Sequence, residues 1–269
     1  MRKIGIVGYG KLGQHLCRAI QHAENLDLAF VWNRNPAAIG SEIPNSKKIT
    51  DLNHCTDIPC DLIVEVAHPI ISKQWGASFL SHCDYMIGSP TALADRETED
   101  KLLHSTQKNG VYIPRGALPG LEEVLSMKRA QKLHAASITM RKHPKSLKFS
   151  GPLPNGHQNS IQPVTYYQGP LRRLCGYAPN NVNTMAVLAL SSGLGMDKVH
   201  ATLIADRSLE HHITEVSLYG AGSPEERYSL ELIRKSPAGA GSVTSSATFD
   251  TFLASMIRAT GQGVGLHFC

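Results

Sequence analysis

The stretch RKIGIVGYGKLGQ, residues 2–14, decides the fold of this chain. A short apolar run enters three glycines at G-x-G-x-x-G spacing, and an amphipathic helix follows. Between a strand and a helix, the first glycine permits a tight turn, the second lets the backbone approach a pyrophosphate, and the third lets the helix pack on the strand. The motif therefore predicts an NAD or NADP site. The residues predicted to bind the cofactor here are Gly8, Gly10, Lys11, Leu12 and Gly13.

Composition and charge limit the class of protein. With 269 residues, 42% hydrophobic and 18% charged, the chain is long enough for two domains and has an ordinary globular composition. No apolar run could span a bilayer, and a net charge of +5 without a basic block does not indicate nucleic acid. The chain begins directly with a strand, and its six cysteines lack metal-site spacing. We expect a cytosolic protein that binds no metal, membrane or nucleic acid.

The second predicted strand, Leu26 to Trp32, bears on the choice of cofactor. An acidic residue after this strand binds the ribose hydroxyls of NAD, whereas this chain has Asn33 and Arg34. A guanidinium can pair with a 2′-phosphate, and an uncharged neighbour does not repel one. NADP is therefore permitted, and both residues are predicted to contact the cofactor. The alternative for Arg34 is a solvated turn residue.

The rest of the first 113 residues continues the alternation of strand and helix. The apolar run Asp61 to Ala67 predicts a strand buried on both faces, and a helix follows at residues 70–80. Because ligands bind at the carboxyl ends of parallel strands, Ala67 and His68 are predicted to lie near the nicotinamide. His68 could equally cap the following helix. Further strands are predicted at 84–87 and 111–113, with a helix at 95–108 between them, which indicates a doubly wound parallel sheet.

The character of the chain changes after a loop rich in glycine and proline at residues 114–120. We predict a helix through Leu133, a strand at 136–140, a loop at 150–163, and a helix at 184–194 with asparagines at its N-cap. Strands at 199–205, 213–219 and 228–233 would complete a mixed sheet. The predicted fold is α/β: a Rossmann domain, residues 1–114, with a C-terminal helix at 243–269 packing back on it, and a smaller α+β substrate and dimerisation domain, residues 115–242.

Several stretches together resemble the L-aspartate dehydrogenase family, and most closely its animal branch. They are GIVGYGKLG at 5–13, EVAHP at 65–69, GSPTALAD at 88–95, RGALPGLE at 115–122, NNVNTMA at 180–186 and ADRSLEHH at 205–212. The resemblance implies NAD(P)-dependent oxidation of L-aspartate to iminoaspartate, which water converts to oxaloacetate and ammonia. It also implies a homodimer, cofactor contacts at Ala117 and Asn183, and a catalytic histidine after the Ala-Asp pair.

Two adjacent histidines compete for that catalytic position. The loop before them is shorter than in the family and lacks its usual proline and asparagine. Alignment of the following strand without gaps favours His212, which we prefer, whereas the family's H-x-I pattern favours His211. Asp206 could orient the imidazole by accepting its second N–H, or it could cap a turn.

The chemistry requires a base and cations for the carboxylates of a small anionic substrate. Histidine titrates near neutrality and suits the first task. For the second we predict Arg141 and Lys142 at the end of a strand, with Arg172 and Arg173 as a second choice and Lys145 as a solvated residue. Two alternatives to aspartate oxidation are a dehydrogenase of another small anionic amino or keto acid, and a nucleotide-binding sensor with weak catalysis.

Overall fold

A parallel sheet forms the centre of the first of two compact units in the computed structural model, which describes residues 1–104, 108–242 and 246–269. This first unit comprises Met1–Pro114 and Phe249–Cys269. Its sheet has seven strands in the order β12-β6-β5-β4-β1-β2-β3. The strands are β1 (Arg2–Val7), β2 (Leu26–Trp32), β3 (Lys48–Ile49), β4 (Leu62–Glu65), β5 (Asp84–Ile87), β6 (Gly110–Ile113) and β12 (Gly265–Phe268). The Rossmann-type fold predicted for this part is confirmed.

Helices of the first unit bury apolar residues against this sheet. They are α1 (Lys11–His22), α2 (Pro69–His82), α3 (Arg96–Glu99) and α7 (Ser246–Arg258). A π-helical segment, Asp100–His104, continues α3, and residues 105–107 of the predicted helix lie outside the described residues. Leu16 and Ile20 of α1 share one core cluster with Phe252 and Met256 of α7. The carboxyl-terminal helix is thus part of the nucleotide-binding unit.

The carboxyl terminus differs from the predicted helix over 243–269. The helix α7 ends at Arg258, and β12 then pairs in parallel with β6 at the edge of the sheet. Three glycines in this stretch, Gly261, Gly263 and Gly265, have φ values of 68°, 75° and 126°. Glycine adopts such left-handed conformations at little cost, so the chain leaves the helix here and turns into the strand.

The second unit, Arg115–Thr248, is built on a mixed sheet of five strands in the order β11-β10-β7-β9-β8. The strands are β7 (Ala135–Lys142), β8 (Val164–Pro170), β9 (His200–Ala205), β10 (His211–Tyr219) and β11 (Ser229–Pro237). The helices are α4 (Leu121–Arg129), α5 (Leu171–Tyr177) and α6 (Asn183–Ser192). Strand β7 pairs in parallel with β9, and the other strand pairs are antiparallel. The predicted mixed sheet is confirmed.

The second unit also contains elements that the sequence patterns did not predict. Strand β8 and helix α5 were missed because β8 is an edge strand that ends in glycine and proline, and α5 has only seven residues. Helix α4 ends at Arg129 rather than Leu133, close to Gln131, whose φ is 55°. Among the described residues, no helix is long and apolar enough to cross a membrane.

The asparagines before α6 do not cap it as predicted. Val182 occupies the N-cap position, and no described side chain caps the helix there. Asn181 is instead buried, and its amide accepts a hydrogen bond from Lys148 N at 2.8 Å and donates one to Ser146 O at 2.8 Å. The side chain therefore fixes the turn that follows β7, because a buried amide must satisfy both of its polar groups.

Candidate active site

The glycine loop between β1 and α1 has the shape that a pyrophosphate requires. Gly8 has a φ of 117°, and a Cβ at this position would lie 2.8 Å from the backbone of Val66 and Ala67. A Cβ at Gly13 would lie 2.0 Å from Gly8 O, whereas one at Gly10 would meet nothing within 4 Å. The loop is therefore closed on its inner side and open where a ligand could approach. No described side chain caps α1, so its first backbone N–H groups, beginning at the exposed Lys11, can bind a phosphate.

Asn33 connects the end of β2 to the glycine loop. Its Oδ1 accepts a hydrogen bond from Tyr9 N at 3.1 Å, and its Nδ2 donates to Asn35 O at 2.9 Å. Arg34 is exposed, and its charge contributes, after burial, to lowering the pKa of His68. The Asn33 side chain positions the loop, while Arg34 is an exposed cation at the end of the strand.

A buried carboxylate within the apolar run of β4 connects the ends of two neighbouring strands. Glu65, at the end of β4, is fully buried, and burial raises its pKa to about 7. It accepts hydrogen bonds from Ala67 N (2.7 Å), His68 N (2.8 Å), Ser89 N (2.9 Å) and Ser89 Oγ (3.1 Å). One side chain thereby holds the turns after β4 and β5, at the edge where the predicted contacts Ala67 and His68 lie.

The sequence left two roles open for His68, a cap of the following helix and a contact with the nicotinamide. Its Nδ1 accepts a hydrogen bond from Ile70 N at 3.2 Å, so the side chain caps α2. Ala67 and His68 are both exposed at the carboxyl end of β4. Capping is observed, and a nicotinamide contact by these residues stays a prediction.

Two further predicted cofactor contacts belong to the second unit. Ala117 is half-buried in the RGALPG loop (residues 115–120), where Leu118 N donates a hydrogen bond to Arg115 O at 3.0 Å. Asn183 is the half-buried first residue of α6. Their cofactor contacts also stay predictions.

The two adjacent histidines occupy opposite faces of β10. His211 is exposed, whereas only 8% of His212 is exposed, because successive side chains of a strand alternate between faces. The Nε2 atom of His212 is buried and has no hydrogen-bond partner among the described residues. Burial lowers the pKa of His212 to about 4, with a further decrease from the charge of Lys142 and a smaller opposing effect of a backbone hydrogen bond at Ser242. The imidazole is therefore neutral at pH 7.

Lys142 lies on the same face as His212. The antiparallel pairing of β7 with β10 ends at Arg141 opposite Ile213, so continuation of this register places Lys142 opposite His212. Only 3% of Lys142 is exposed, and its Nζ donates a hydrogen bond to Asn181 O at 3.1 Å. Burial lowers its pKa to about 8. No carboxylate in the described ranges pairs with this ammonium, which is unusual because buried charges are normally paired.

Asp206 forms a turn rather than a contact with the imidazole. Its Oδ1 accepts hydrogen bonds from Ser208 N at 2.9 Å and Ser208 Oγ at 2.6 Å. Its backbone N–H donates to Lys142 O at 2.9 Å. Of its two predicted roles, the turn cap is the one observed.

The other predicted cations are separated from His212. Arg141 lies on the opposite face of β7 from Lys142, and its Nε is 3.3 Å from Glu215 Oε1. Arg172 pairs with Asp197 at 2.9 Å, Arg173 donates to Tyr177 Oη at 3.0 Å, and Lys145 is exposed. An anion close to His212 would thus meet Lys142 but not Arg141, because the two residues lie on opposite faces of the strand.

Two half-buried arginines that were not predicted are Arg234, on β11, and Arg115, in the loop whose Gly116 carbonyl contacts Arg234. Arg234 pairs with Thr214, next to the pair formed by Ser236 and His212. Its Nε donates to Ser236 Oγ at 3.0 Å, and its Nη1 donates to Gly116 O at 3.2 Å. Burial, and then the charge of Arg115, lowers the pKa of Arg234. Arg115 belongs to a motif quoted above, but the position of Arg234 follows only from strand register.

Comparisons with known proteins identify the family and the fold of this chain. Residues 123–255 match the family model for the C-terminal domain of aspartate dehydrogenase, and residues 8–114 match the NAD-binding domain of homoserine dehydrogenase. In fold, the chain is similar to aspartate dehydrogenase from Thermotoga maritima, with a TM-score of 0.68 at 21% identity, over 96% of this chain and 94% of the other.

Two relatives in sequence are informative. An aspartate dehydrogenase domain-containing protein of Xenopus tropicalis is 40% identical over 99% of this chain and 98% of its own. The L-aspartate dehydrogenase of Nitrosopumilus maritimus is 30% identical over 82% of this chain and 85% of its own. These similarities confirm the resemblance and the NAD or NADP cofactor inferred from the motifs. The chain belongs to the aspartate dehydrogenase family and is an NAD(P)-dependent amino-acid dehydrogenase.

Proposed function

We propose that the protein oxidises L-aspartate to iminoaspartate, which water converts to oxaloacetate and ammonia. The observation that carries this proposal is the pair formed by His212 and Lys142. Among the residues that the structure describes, the buried neutral imidazole of His212 has an unpartnered Nε2, and the buried ammonium of Lys142 has no acidic partner. A base and a cation for a carboxylate are the groups that oxidation of an anionic amino acid needs. The bound nicotinamide supplies the hydride acceptor.

His212 and Lys142 have different roles in this reaction. His212 accepts a proton through Nε2, from the substrate ammonium or from the water that attacks the imine. Lys142 binds a substrate carboxylate, and the negative charge of that carboxylate offsets the effect of the ammonium on the imidazole. The part of the decrease in the His212 pKa that comes from Lys142 is thereby removed when substrate binds, which improves the imidazole as a base, while the larger effect of burial persists.

The proposal is tested by nicotinamide absorbance with L-aspartate and NAD or NADP, and in reverse with oxaloacetate, ammonium and reduced cofactor. Turnover in either direction that is lost on replacing His212 supports it. Turnover only with another small anionic amino or keto acid would contradict aspartate as the substrate and identify that acid instead. Cofactor binding without turnover on any such substrate favours a sensor.

Arg34 is proposed to bind the 2′-phosphate of NADP. It is exposed at the end of β2, and the neighbouring Asn33 amide is hydrogen-bonded to the glycine loop. Arg34→Ala should weaken NADP binding by about tenfold or more, since hydrogen bonds between charged groups contribute about 1.5–3 kcal/mol, and leave NAD binding nearly unchanged. Titration of the two cofactors by calorimetry checks this. Lys108→Ala, which removes an exposed cation that precedes the amino end of β6, is the control, and equal losses for both cofactors in Arg34→Ala would contradict the role.

The second unit offers a surface for the homodimer, which is part of the proposed function. Alternate residues of β7 and β10 are buried, and the others leave a partly exposed face that carries the Arg141–Glu215 pair. Ile233, which pairs with Glu215 in the register, is 64% exposed at the edge of this face. A second copy could cover this mixed apolar and charged face symmetrically.

The dimer has a direct test. Ile233→Glu should convert the dimer to a monomer in light scattering at micromolar concentrations, because it places a carboxylate next to Glu215. Ile161→Glu alters another exposed isoleucine in a loop of the same unit and should leave the mass unchanged. A monomeric wild-type protein, or equal effects of both variants, would contradict this interface.

We also propose that the protein is cytosolic. All six cysteines are free thiols, which suits a reducing compartment. Fractionation of cells that express the full chain would test the assignment, and its recovery in an organelle fraction would contradict it.

A further inference from the structure

We infer that Arg115 and Arg234 form a second carboxylate site beside Lys142 and His212, so that the substrate pocket selects a dicarboxylate. The inference deepens the proposed function and rests on it for the identity of the first carboxylate. It concerns residues of the second unit alone.

Strand register places Arg234 next to the catalytic candidates. Ser236 is paired with His212, and Arg234 is paired with Thr214, one row along the same face. Diagonal neighbours on adjacent antiparallel strands are about 7–8 Å apart, which long side chains readily span. The Nε hydrogen bond to Ser236 Oγ directs the guanidinium towards the row that contains His212.

The RGALPG loop brings the second arginine to this face. Arg234 Nη1 donates to the carbonyl of Gly116, and a Cβ at Gly120 would lie 2.1 Å from Leu232 Cδ1, so both ends of the loop touch β11. Arg115 directly precedes Gly116. The two guanidinium groups repel each other. Burial is the larger cause that lowers the pKa of Arg234, and the charge of Arg115 lowers this pKa further.

The partners of these arginines are neutral. The hydrogen bonds of Arg234 go to a hydroxyl and a carbonyl, and the Nε of Arg115 is buried without a partner among the described residues. In contrast, Arg141 pairs with Glu215 and Arg172 pairs with Asp197. Two adjacent guanidinium groups without a carboxylate repel each other and retain unused donors in a partly buried place. A bound carboxylate would remove both penalties and accept a bidentate hydrogen bond.

Lys142 supplies the other half of the pocket. Its ammonium also lacks an acidic partner in the described part of the chain, and it belongs to the row of His212. A four-carbon dicarboxylic acid could place one carboxylate at Lys142 and the other at the arginine pair. An amino acid with an apolar or amide side chain would leave the arginines without an anion, which is a larger penalty than the loss of one favourable contact.

The test measures ligand binding rather than turnover. Succinate, a dicarboxylate, and butyrate, a monocarboxylate of the same length, are titrated into the full protein with saturating cofactor by calorimetry. The wild type should bind succinate at least about tenfold more tightly, and Arg234→Met should abolish that preference while leaving butyrate affinity within about twofold. Arg227→Met, which removes an arginine of the same unit that lies over the Tyr219 ring at 4.1 Å, is the matched control and should behave as the wild type.

Several results would overturn the inference. They are a wild type without preference for succinate, equal loss of both ligands in Arg234→Met, and a loss in Arg227→Met as large as that in Arg234→Met. If Arg234→Met does not fold, Arg115→Met takes its place with the same expected loss of preference, and Arg234→Lys should recover part of it.

The binding experiment can fail or succeed independently of the test of aspartate oxidation. Loss of the succinate preference in Arg234→Met, found together with a wild type that does not oxidise aspartate, would support the dicarboxylate site and change only the substrate. Aspartate turnover in a wild type without succinate preference would preserve the function and reject the site.

Discussion

Replacement of His212 by glutamine is expected to lower kcat on the productive amino acid by about a thousandfold, because general base catalysis contributes about a hundredfold to ten-thousandfold. Glutamine keeps a polar side chain of similar reach at a position that is 8% exposed, so the surrounding packing should persist. The variant loses the unpartnered Nε2 that can accept a proton. Steady-state rates and cofactor titration, measured together, separate loss of the base from loss of binding.

His211→Gln is the matched control for this experiment. The same chemical change is made one residue away, on the exposed side of β10. It should leave kcat within about threefold, since surface substitutions generally have small effects. A large loss in His211→Gln with normal turnover in His212→Gln would transfer the catalytic role to the exposed histidine. Normal turnover in both variants would exclude a histidine base at this position.

Replacement of Lys142 by methionine is expected to raise the free energy of unfolding and to lower the catalytic activity. The pKa of Lys142 is about 8 in the folded protein and 10.5 as its ordinary value, so at pH 7 the ammonium is charged in both states and its burial costs about 3 kcal/mol of folding free energy. Methionine keeps an apolar stem without the charge. After about 1 kcal/mol is subtracted for the lost hydrogen bond to Asn181 O, the free energy of unfolding should rise by about 2 kcal/mol.

The sign of the pH dependence follows from the same pKa. The unfolded state binds more protons than the folded state between pH 8 and 10.5, so the cost of burying Lys142 declines as pH rises through this range. The advantage of Lys142→Met in urea denaturation should therefore be largest at pH 7 and smaller at pH 10. Lys145→Met, at an exposed position in the same segment, should change stability by less than about 0.5 kcal/mol at either pH.

The activity of Lys142→Met completes this prediction. Loss of the cation for a carboxylate should reduce kcat/KM by about a hundredfold, as expected for a hydrogen bond between charged groups of about 1.5–3 kcal/mol. In the wild type, kcat/KM for an anionic substrate should fall as Lys142 loses its charge above pH 8. A less stable Lys142→Met at pH 7, or an unaltered kcat/KM, would show that the buried ammonium is not held for an anion.

The amino-acid sequence by itself determined the features that depend on local order. The glycine spacing between residues 8 and 13 and the apolar strand before it predict the nucleotide-binding turn, because the required conformation involves neighbouring residues only. The alternation of strand and helix predicts the parallel sheet in the same way. The adjacency of His211 and His212 already implies opposite faces of a strand.

Only the tertiary structure decided which of these faces is buried and which charges share it. Arg141 and Lys142 are neighbours in sequence, yet one pairs with Glu215 and the other is buried near His212. Arg234 reaches this region through strand pairing, from a position that no local pattern distinguishes. Burial and pairing depend on residues distant in sequence. These long-range contacts set the pKa of His212 and give Lys142 a carbonyl rather than a carboxylate as its partner in the described parts of the chain.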